Sequence, residues 1–227
     1  MNIEPVAIFR SPLPRKFGIP RQAGLAPSLR GSVVLEPSYR SPDALRGLEG
    51  FDYLWLIWQF NLNPDCGSRL TVRPPRLGGN ERTGVFASRS PFRPNGLGLS
   101  SVKIESVDSE RGVIEVSGAD LADGTPIFDI KPYVEYADSH PGVRSGFVDA
   151  ALWDTLEVRV PHSLKDALPP SEMAALKEIL SQDPRPQYQD DPERIYGMTF
   201  AGREVHFKIS CNILEITDII DSKEQKK

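Results

Sequence analysis

Short apolar runs alternate with connections rich in proline and glycine along the first 136 residues. Runs of this kind, bounded by turn residues, predict strands rather than helices. One helix is expected at 41–51, because Ser41 can cap it and Pro42 suits the first helical position. Regularly spaced short strands favour a barrel or a sandwich over alternating strand–helix units. The predicted strands lie at 5–11, 32–36, 51–60, 70–74, 82–88, 98–108, 112–121 and 125–136.

A mixed pattern of helix and strand follows residue 137. Apolar residues within 163–183 fall on one helical face, and this helix should begin at Pro169–Pro170 with Ser171 near its cap. Three apolar stretches after this helix predict closing strands, and one more strand precedes it. The strands predicted in this part lie at 154–160, 195–200, 204–210 and 213–220.

These patterns describe a mainly β chain with a barrel domain over 1–137, a small α+β domain over 138–220 and a flexible tail over 221–227. With 39% hydrophobic residues and a net charge of −4, the chain has no global basic field, so a polyanion would be held by a local patch. The beginning of the chain lacks the pattern of a signal peptide, and no run of about 18 apolar residues occurs. We therefore expect a cytoplasmic protein without a membrane span.

Several common kinds of functional site find no support in the sequence. Cys66 and Cys211 are too few for a disulfide framework, and no paired-cysteine spacing predicts a metal site. Cys66 has no neighbouring histidine, so a thiol nucleophile is not expected. No Gly-x-Gly-x-x-Gly fingerprint follows a strand and no phosphate-binding loop motif occurs, which argues against a Rossmann or a P-loop fold.

The connection at 82–100 concentrates positive charge on a constrained backbone. Arg82, Arg89 and Arg93 lie among prolines and glycines there, and such guanidinium groups suit an anion or a planar ligand. A solvated basic turn whose arginines pair with acidic residues is the alternative. On the predicted strand 125–136, Asp129 and Lys131 share one face and could line a cleft.

Three segments of the chain resemble the signature blocks of a known family. The blocks are KFGIPRQAG (16–24), RPPRLGGNERTGVFASRSPFRPNGLGLSSVKI (73–104) and DLADGTPIFDIKPYVEYAD (120–138). On these blocks the chain resembles the TrmO/TsaA-like family of S-adenosylmethionine-dependent tRNA N6-methyltransferases, and QDPRPQY (182–188) is similar to a motif of the bacterial members' C-terminal domain. Gly96-Leu97 departs from the Pro-Ile that the family commonly has, and this difference bears on the rigidity of the loop alone.

The resemblance implies a single-sheet β-barrel methyltransferase that acts as a homodimer, with the partner subunit helping to complete the active site. The implied cofactor is S-adenosylmethionine, and the implied substrate is the threonylcarbamoyl-modified adenosine immediately 3′ of the anticodon, in the tRNA anticodon loop. Arg89 would bind the carboxylate of the cofactor, and Phe60 would supply apolar surface. The implied cofactor contacts are Gln22, Ala23, Gly24, Phe60, Asn61, Arg89, Leu99 and the backbone of Asp120, Leu121, Ala122 and Asp123.

The methyl-accepting nitrogen must lose a proton, so a nearby proton acceptor is expected. Our catalytic candidates are Asp129 and Tyr133, followed by Tyr136. Two other functions stay open: an RNA-binding or regulatory module with a vestigial cofactor pocket, and a methyltransferase that acts on a non-tRNA acceptor. The candidates for RNA binding are Arg82, Arg93, Lys131 and Arg185 for phosphates of the anticodon loop and Phe92 for stacking on a splayed base.

Overall fold

The computed structural model describes residues 2–63, 70–77, 81–150, 154–185 and 191–222. The strands are β1 (Ala7–Arg10), β2 (Arg30–Leu35), β3 (Tyr53–Gln59), β4 (Thr71–Val72), β5 (Thr83–Gly84), β6 (Leu97–Asp108), β7 (Val113–Ser117), β8 (Pro126–Pro132), β9 (Glu157–Arg159), β10 (Tyr196–Phe200), β11 (Arg203–Ser210) and β12 (Ile213–Asp221). The α-helices are α1 (Pro42–Leu45), α2 (Glu135–Asp138), α3 (Phe147–Ala150) and α4 (Pro170–Ser181).

Six of these strands close into an antiparallel barrel in the order β1-β2-β7-β6-β3-β8. Strand β3 shows why the barrel forms, because Leu54, Leu56 and Trp58 point into the core while Tyr53 and Trp55 point outward. This alternation lets one face of each strand fill the interior. The prediction of a mainly β fold with a barrel is confirmed.

A second sheet, in the order β10-β11-β12-β9, forms the core of the C-terminal part together with helix α4. Helix α4 begins at Pro170, as predicted, but Pro169 and not Ser171 occupies the cap position. A proline has no side-chain acceptor for the free N–H groups of the first turn, so this helix depends on packing. Its predicted apolar face is buried against the sheet and consists of Met173, Leu176, Ile179 and Leu180.

Several predicted elements are shorter in the structure than in the sequence pattern. The strand expected at 82–88 covers only Thr83–Gly84, and a 3-10 turn follows at Val85–Ala87. The helix expected at 41–51 stops after one turn, α1, because Gly47 adopts a φ of +88° and a separate 3-10 turn follows at Leu48–Gly50. The strand expected at 125–136 ends at Pro132, and α2 follows it. The carboxylate of Asp138 holds α2 in place by accepting hydrogen bonds from Val134 N at 2.8 Å and Trp55 Nε1 at 3.0 Å.

The connection between β1 and β2, residues 11–29, is an ordered loop that joins the two parts of the molecule. We call it the first connection. The Phe17 ring stacks on Phe207 of the second sheet with centroids 6.5 Å apart, and Ala201 N donates a hydrogen bond of 2.9 Å to Pro12 O. Leu13 is fully buried in the same core as α4. The first connection therefore belongs to the barrel by sequence and to the second core by packing.

Among the residues that the structure describes, none of the helices has the length and apolar character needed to cross a bilayer. Over the same residues, no group of three or more His, Cys, Asp or Glu side chains is arranged to hold a metal ion. Cys66 lies outside the described residues, and Cys211 is exposed with a free thiol.

Candidate functional site

One end of the barrel gathers the segments that carry the family resemblance. Strands β1, β3 and β7 finish at this end and β2, β6 and β8 begin there, because neighbouring strands are antiparallel. Three connections therefore meet at what we call the site end: the first connection, the described residues of 60–96, and residues 118–125. Hydrogen bonds between these connections, described below, show that they contact one another.

Two glycines bring the first connection against the connection that follows β7. Gly24 N donates a hydrogen bond of 2.8 Å to Gly118 O, and Gly118 N donates one of 2.9 Å to Leu29 O. Gly24 has a φ of +83° and Gly118 one of +74°, a region in which residues with a Cβ are strained. A Cβ on Gly118 would lie 3.5 Å from the Gly24 Cα, so these two segments of the backbone pass close together.

Asp120 is a partly buried acid at the site end. Its carboxylate accepts a hydrogen bond of 2.5 Å from Ser100 Oγ, and Ser100 Oγ accepts one of 2.9 Å from Trp58 Nε1 inside the barrel. Burial raises the pKa of the Asp120 carboxyl. Hydrogen bonds from Ser100 and from the backbone of Asp120 and Ala23, and the charge of Arg89, oppose this rise only in part.

Arg89 joins the middle connection to the first one. Its Nη1 donates a hydrogen bond of 2.5 Å to Gln22 Oε1, and Gln22 Nε2 donates one of 2.6 Å to Arg21 O. The Arg89 residue is otherwise exposed, so its guanidinium keeps donors that face solvent. An anion that reaches the site end would meet this charge beside Gln22.

Phe60 and Asn61 continue the wall of the site after β3. The Phe60 ring meets the Trp58 ring edge-on with centroids 4.3 Å apart, and Phe60 N donates a hydrogen bond of 2.8 Å to Gly96 O. Asn61 approaches the connection that follows β7, since its Nδ2 lies 3.5 Å from Gly124 O and its Oδ1 lies 3.5 Å from Thr125 Oγ1.

The segment Asp120–Asp123 presents mainly its backbone to the site. Leu121 and Ala122 are buried, so their side chains serve the core. The Asp123 carboxylate accepts a hydrogen bond of 3.1 Å from Ser11 N and lies 3.8 Å from Arg10 Nη1, which joins the end of β1 to this turn.

Leu99 and both catalytic candidates lie on a different surface. Ile57 of β3 is paired with Leu99 on β6 and with Asp129 on β8. Paired residues lie on the same face of a sheet, so all three side chains point away from the barrel interior, as Ile57 does. Asp129 pairs with Lys131 at 3.1 Å, and the Tyr133 ring contacts Trp55 with centroids 5.7 Å apart. We call this surface the outer face, and it consists of Tyr53, Trp55, Ile57, Leu99, Asp129, Lys131 and Tyr133. Tyr136, the third candidate for proton acceptor, is 92% exposed on α2 next to it.

The predicted RNA-binding residues take different positions. Arg93 Nη1 donates 2.9 Å to Ser88 O within its own loop, so this guanidinium helps to build the turn. The Phe92 ring lies under Lys16 Nζ, 5.5 Å from the ring centroid. Arg185 pairs with Asp183 at 3.1 Å, and Arg82 is exposed. The residues 186–190 of the QDPRPQY motif lie outside the described residues.

A pocket of about 400 Å³ lies between the first connection and the end of α4. Its lining combines the cationic side chains of Lys16 and Arg21 with apolar and amide groups. It borders the site end, because Arg21 precedes Gln22 directly.

The sequence interpretation missed the polar contacts that support Asp120 from within the barrel. Ser100 is 3% exposed at an inward-facing position of β6, and a Cβ on Gly98 would overlap the Trp58 indole. The available signal was a serine at an inward position of an otherwise apolar strand pattern, two residues after a glycine.

The expectation that Gly96 affects rigidity alone is too narrow. Gly96 adopts a φ of +58°, which proline cannot reach, and its N–H donates 3.0 Å to Arg93 O. The loop here is therefore a turn that a proline at this position could not form.

The closed antiparallel barrel defines the class of the protein, a barrel fold and not a Rossmann fold, and its connections meet around the partly buried Asp120 and the exposed Arg89. The family model of the tRNA-methyltransferase O N-terminal domain matches residues 8–139, and the model of the TrmO C-terminal domain matches residues 155–222. The chain belongs to the tRNA-methyltransferase O family.

Relatives with known names support this membership over nearly the whole chain. A putative S-adenosylmethionine-dependent methyltransferase RcsF from Pseudomonas aeruginosa is 42% identical and covers 91% of each chain. The tRNA (adenine(37)-N6)-methyltransferase of Escherichia coli is 40% identical and covers 88% of each chain. The crystal structure of TrmO from Pseudomonas aeruginosa superimposes with a TM-score of 0.80 at 33% identity, over 98% of this chain and 97% of that one.

Proposed function

We propose that this protein transfers a methyl group from S-adenosylmethionine to N6 of the adenosine next to the tRNA anticodon, in its threonylcarbamoyl-modified form. The observation that carries the proposal is the convergence of Arg89, Gln22, Ala23 and Asp120 at the site end of a barrel of this family. These residues come from three connections that are far apart in sequence. The names of the relatives supply the reaction class.

The groups at the site end fit S-adenosylmethionine chemically. When bound, this cofactor supplies an electrophilic methyl group attached to a positively charged sulfur. The Arg89 guanidinium is suited to hold the carboxylate of the methionyl part, and the Phe60 ring offers an apolar surface for the adenine. The negative charge of Asp120 favours a cationic ligand, and Gly24, where a Cβ would meet nothing within 4 Å, leaves room for close approach.

The proton of the acceptor nitrogen requires a base, and the outer face carries our two candidates. The Asp129 carboxylate is half exposed and is held beside Lys131, so it is accessible to an acceptor nucleotide. Tyr133 packs against Tyr53 and Trp55, which hold its ring in place. Both residues lie on the outer face, so in this proposal they act together with a site end, and a second subunit offers one way to join the two surfaces.

A homodimer through the outer face is part of the proposal. Leu99 is 60% exposed and Tyr53 is 42% exposed, and with Trp55 and Ile57 they form a contiguous apolar surface on neighbouring strands. Large exposed apolar surfaces of this kind are typical of interaction sites. A partner subunit that covers this surface would bring one site end next to the other subunit's Asp129 or Tyr133.

Local rather than global charge would hold the tRNA. The net charge of −4 disfavours non-specific RNA binding, whereas Arg82, Lys16 and Arg21 place positive charge around the site end. A tRNA substrate would also place the activity in the cytoplasm. The predicted contacts Arg82, Phe92, Arg93, Lys131 and Arg185 stay part of this proposal.

The test is complementation of an Escherichia coli strain that lacks its own tRNA (adenine(37)-N6)-methyltransferase. We expect this chain to restore the methylated nucleoside, measured by mass spectrometry of digested tRNA. The Arg89→Ala variant, produced to the same level, serves as the negative control. If the nucleoside stays unmethylated while the purified protein binds S-adenosylmethionine saturably, the acceptor is not this tRNA position. If the protein shows no saturable binding, the methyltransferase assignment itself fails.

A further inference from the structure

Helix α4 of the C-terminal part holds the first connection through one carboxylate. Glu178 Oε2 accepts a hydrogen bond of 2.7 Å from Ser28 N, and Glu178 Oε1 accepts one of 2.7 Å from Ser28 Oγ. Both oxygens of one acid are thus used for two donors of a single serine. Hydrogen bonds to a charged acceptor are stronger than those between neutral groups.

A second contact holds the first connection on the other side of Gln22–Gly24. Arg21 Nη2 donates a hydrogen bond of 3.0 Å to Asp183 O, just beyond the end of α4. The residues between these two anchors include Gln22, which binds Arg89, and Gly24, which binds Gly118 O. The cofactor segment is therefore suspended between the last turn of α4 and the barrel.

Apolar packing follows the same path. Ala26 and Leu29 flank Ser28 and are almost completely buried in the core that contains Leu176 and Ile179 of α4. A movement of α4 would carry these side chains with it, because a close-packed core does not deform freely. The position of α4 therefore affects the backbone of Gln22–Gly24.

The position of Glu178 within α4 does not favour the helix itself. Glu178 lies in the last turn of α4, which ends at Ser181. Acidic side chains are unfavourable near the C-terminus of a helix, where the helix dipole is negative. The two hydrogen bonds with Ser28 explain a carboxylate at this position.

We propose that Glu178 is a positioning residue for the methyl-donor site: it fixes Ser28 and thereby the backbone of Gln22–Gly24, without touching the donor. This inference rests on the proposed binding of S-adenosylmethionine at the site end. It makes the C-terminal part a structural component of the cofactor site.

The experiment compares Glu178→Gln and Ser28→Ala, singly and combined, in the full chain. Gln keeps one acceptor oxygen and the side-chain length but loses the charge and the second acceptor. We expect each variant to bind S-adenosylmethionine about tenfold more weakly by calorimetry, with the double variant no weaker than the Glu178 variant. The donor KM should rise by a similar factor while kcat changes by less than about twofold, because Glu178 does not contact the reacting atoms.

Hydrogen exchange without any donor gives an independent readout. Amides of Ala23, Gly24 and Ser28 should exchange faster in Glu178→Gln than in the wild type, since their anchor is weakened. Glu172→Gln is the matched control, on the same helix, where the described part of the chain shows no hydrogen bond or ion pair for the side chain. It should leave exchange and donor affinity unchanged.

The outcomes separate this inference from the proposed function. If the wild type binds no S-adenosylmethionine, the proposed function fails whatever the variants do. If the wild type binds it and Glu178→Gln binds equally well with unchanged exchange at Ala23–Gly24, the positioning role is overturned. Should Glu178→Gln unfold, Ser28→Ala decides the matter, because it removes a single hydroxyl from the same contact.

Discussion

The site end and the outer face of the barrel each carry an acid, and the two acids are held in opposite ways. Asp120 at the site end is partly buried and accepts a hydrogen bond of 2.5 Å from Ser100 Oγ, and burial raises the pKa of its carboxyl. Asp129 on the outer face keeps 46% of its side chain exposed and pairs with Lys131 at 3.1 Å. The first acid is part of a network built within one chain, whereas the second faces outward.

The two surfaces differ in whether their groups find contacts within one chain. At the site end, the polar groups of three connections satisfy one another, as the bonds of Gln22, Gly24 and Asp120 show. The outer face instead leaves Leu99 and Tyr53 exposed beside Asp129. We therefore expect cofactor binding to depend on one chain and catalysis to depend on a second one.

The largest effect should come from Asp129→Asn. Loss of the proton acceptor should lower kcat by about 10²–10⁴-fold while the affinity for S-adenosylmethionine stays the same, because Asp129 lies away from the site end. Methyl transfer to tRNA and calorimetry measure the two quantities. Glu135→Gln, also exposed next to the outer face, is the control. An unchanged kcat would exclude Asp129 as the base and direct attention to Tyr133→Phe.

Mixing two inactive variants tests whether the site end and the outer face act across two subunits. Asp129→Asn subunits combined with Arg89→Ala subunits should regain activity, since a mixed dimer contains one intact pairing of a site end with an outer face. Activity that stays at the level of the separate variants would show that both residues act within one chain.

Arg89→Ala should have the next largest effect. We expect the affinity for S-adenosylmethionine to fall by about 10–100-fold, since a charged hydrogen-bond donor to the ligand carboxylate is lost. The melting temperature should hardly change, because Arg89 is exposed and donates a hydrogen bond to Gln22, which is itself at the surface of the site end. Arg82→Ala is the matched control and should weaken tRNA binding only. Unchanged cofactor affinity in Arg89→Ala would contradict its role.

Asp120→Asn should separate binding from stability. Because the pKa of Asp120 is raised, the folded state binds the proton of this acid more tightly than the unfolded state does. The stability of the wild type therefore falls as pH rises from below the unfolded pKa of 3.8 through the raised folded pKa. The asparagine variant lacks this loss and should be at least as stable as the wild type at neutral pH. It should nevertheless bind the cationic cofactor about tenfold more weakly. Chemical denaturation at several pH values and calorimetry test both statements.

The smallest effect is expected for Glu105→Gln on the barrel wall, a residue that we assign to neither the site end nor the outer face. Hydrogen bonds from Arg30 at 2.5 Å and from Ser117 at 2.7 Å lower the pKa of Glu105 to about 2. Its contribution to stability is therefore complete above the unfolded pKa of about 4.5 and is lost as pH falls toward 2. Because the group is partly solvated, the variant should lose at most about 1 kcal/mol at neutral pH. Equal slopes of stability against pH in both proteins would refute this.

Much of the local structure was predictable because it depends on neighbouring residues. The alternation of Leu54, Leu56 and Trp58 with outward residues is visible in the sequence and indicates a strand with one buried face. The start of α4 at Pro170 follows from the preference of proline for the first turn. The family blocks also located the three connections that meet at the site end, while the roles of their residues stay predictions.

Other features were not predictable from local patterns. The length of the helix at 41–51 depended on Gly47 adopting a positive φ, which its sequence allows but does not require. The contact from Ser100 to Asp120 joins residues on different elements. The inward position of Ser100 signals a buried polar group, but no local pattern identifies Asp120 as its partner.

Periodicity, turn residues and contiguous motifs were enough to predict most of the element types, the burial alternation of the barrel strands and the family of the chain. They could not predict that the first connection packs into the second core, or that Asp129 and Tyr133 face away from Asp120. Both depend on strand order and register, which bring together residues that are distant in the chain and turn each side chain inward or outward.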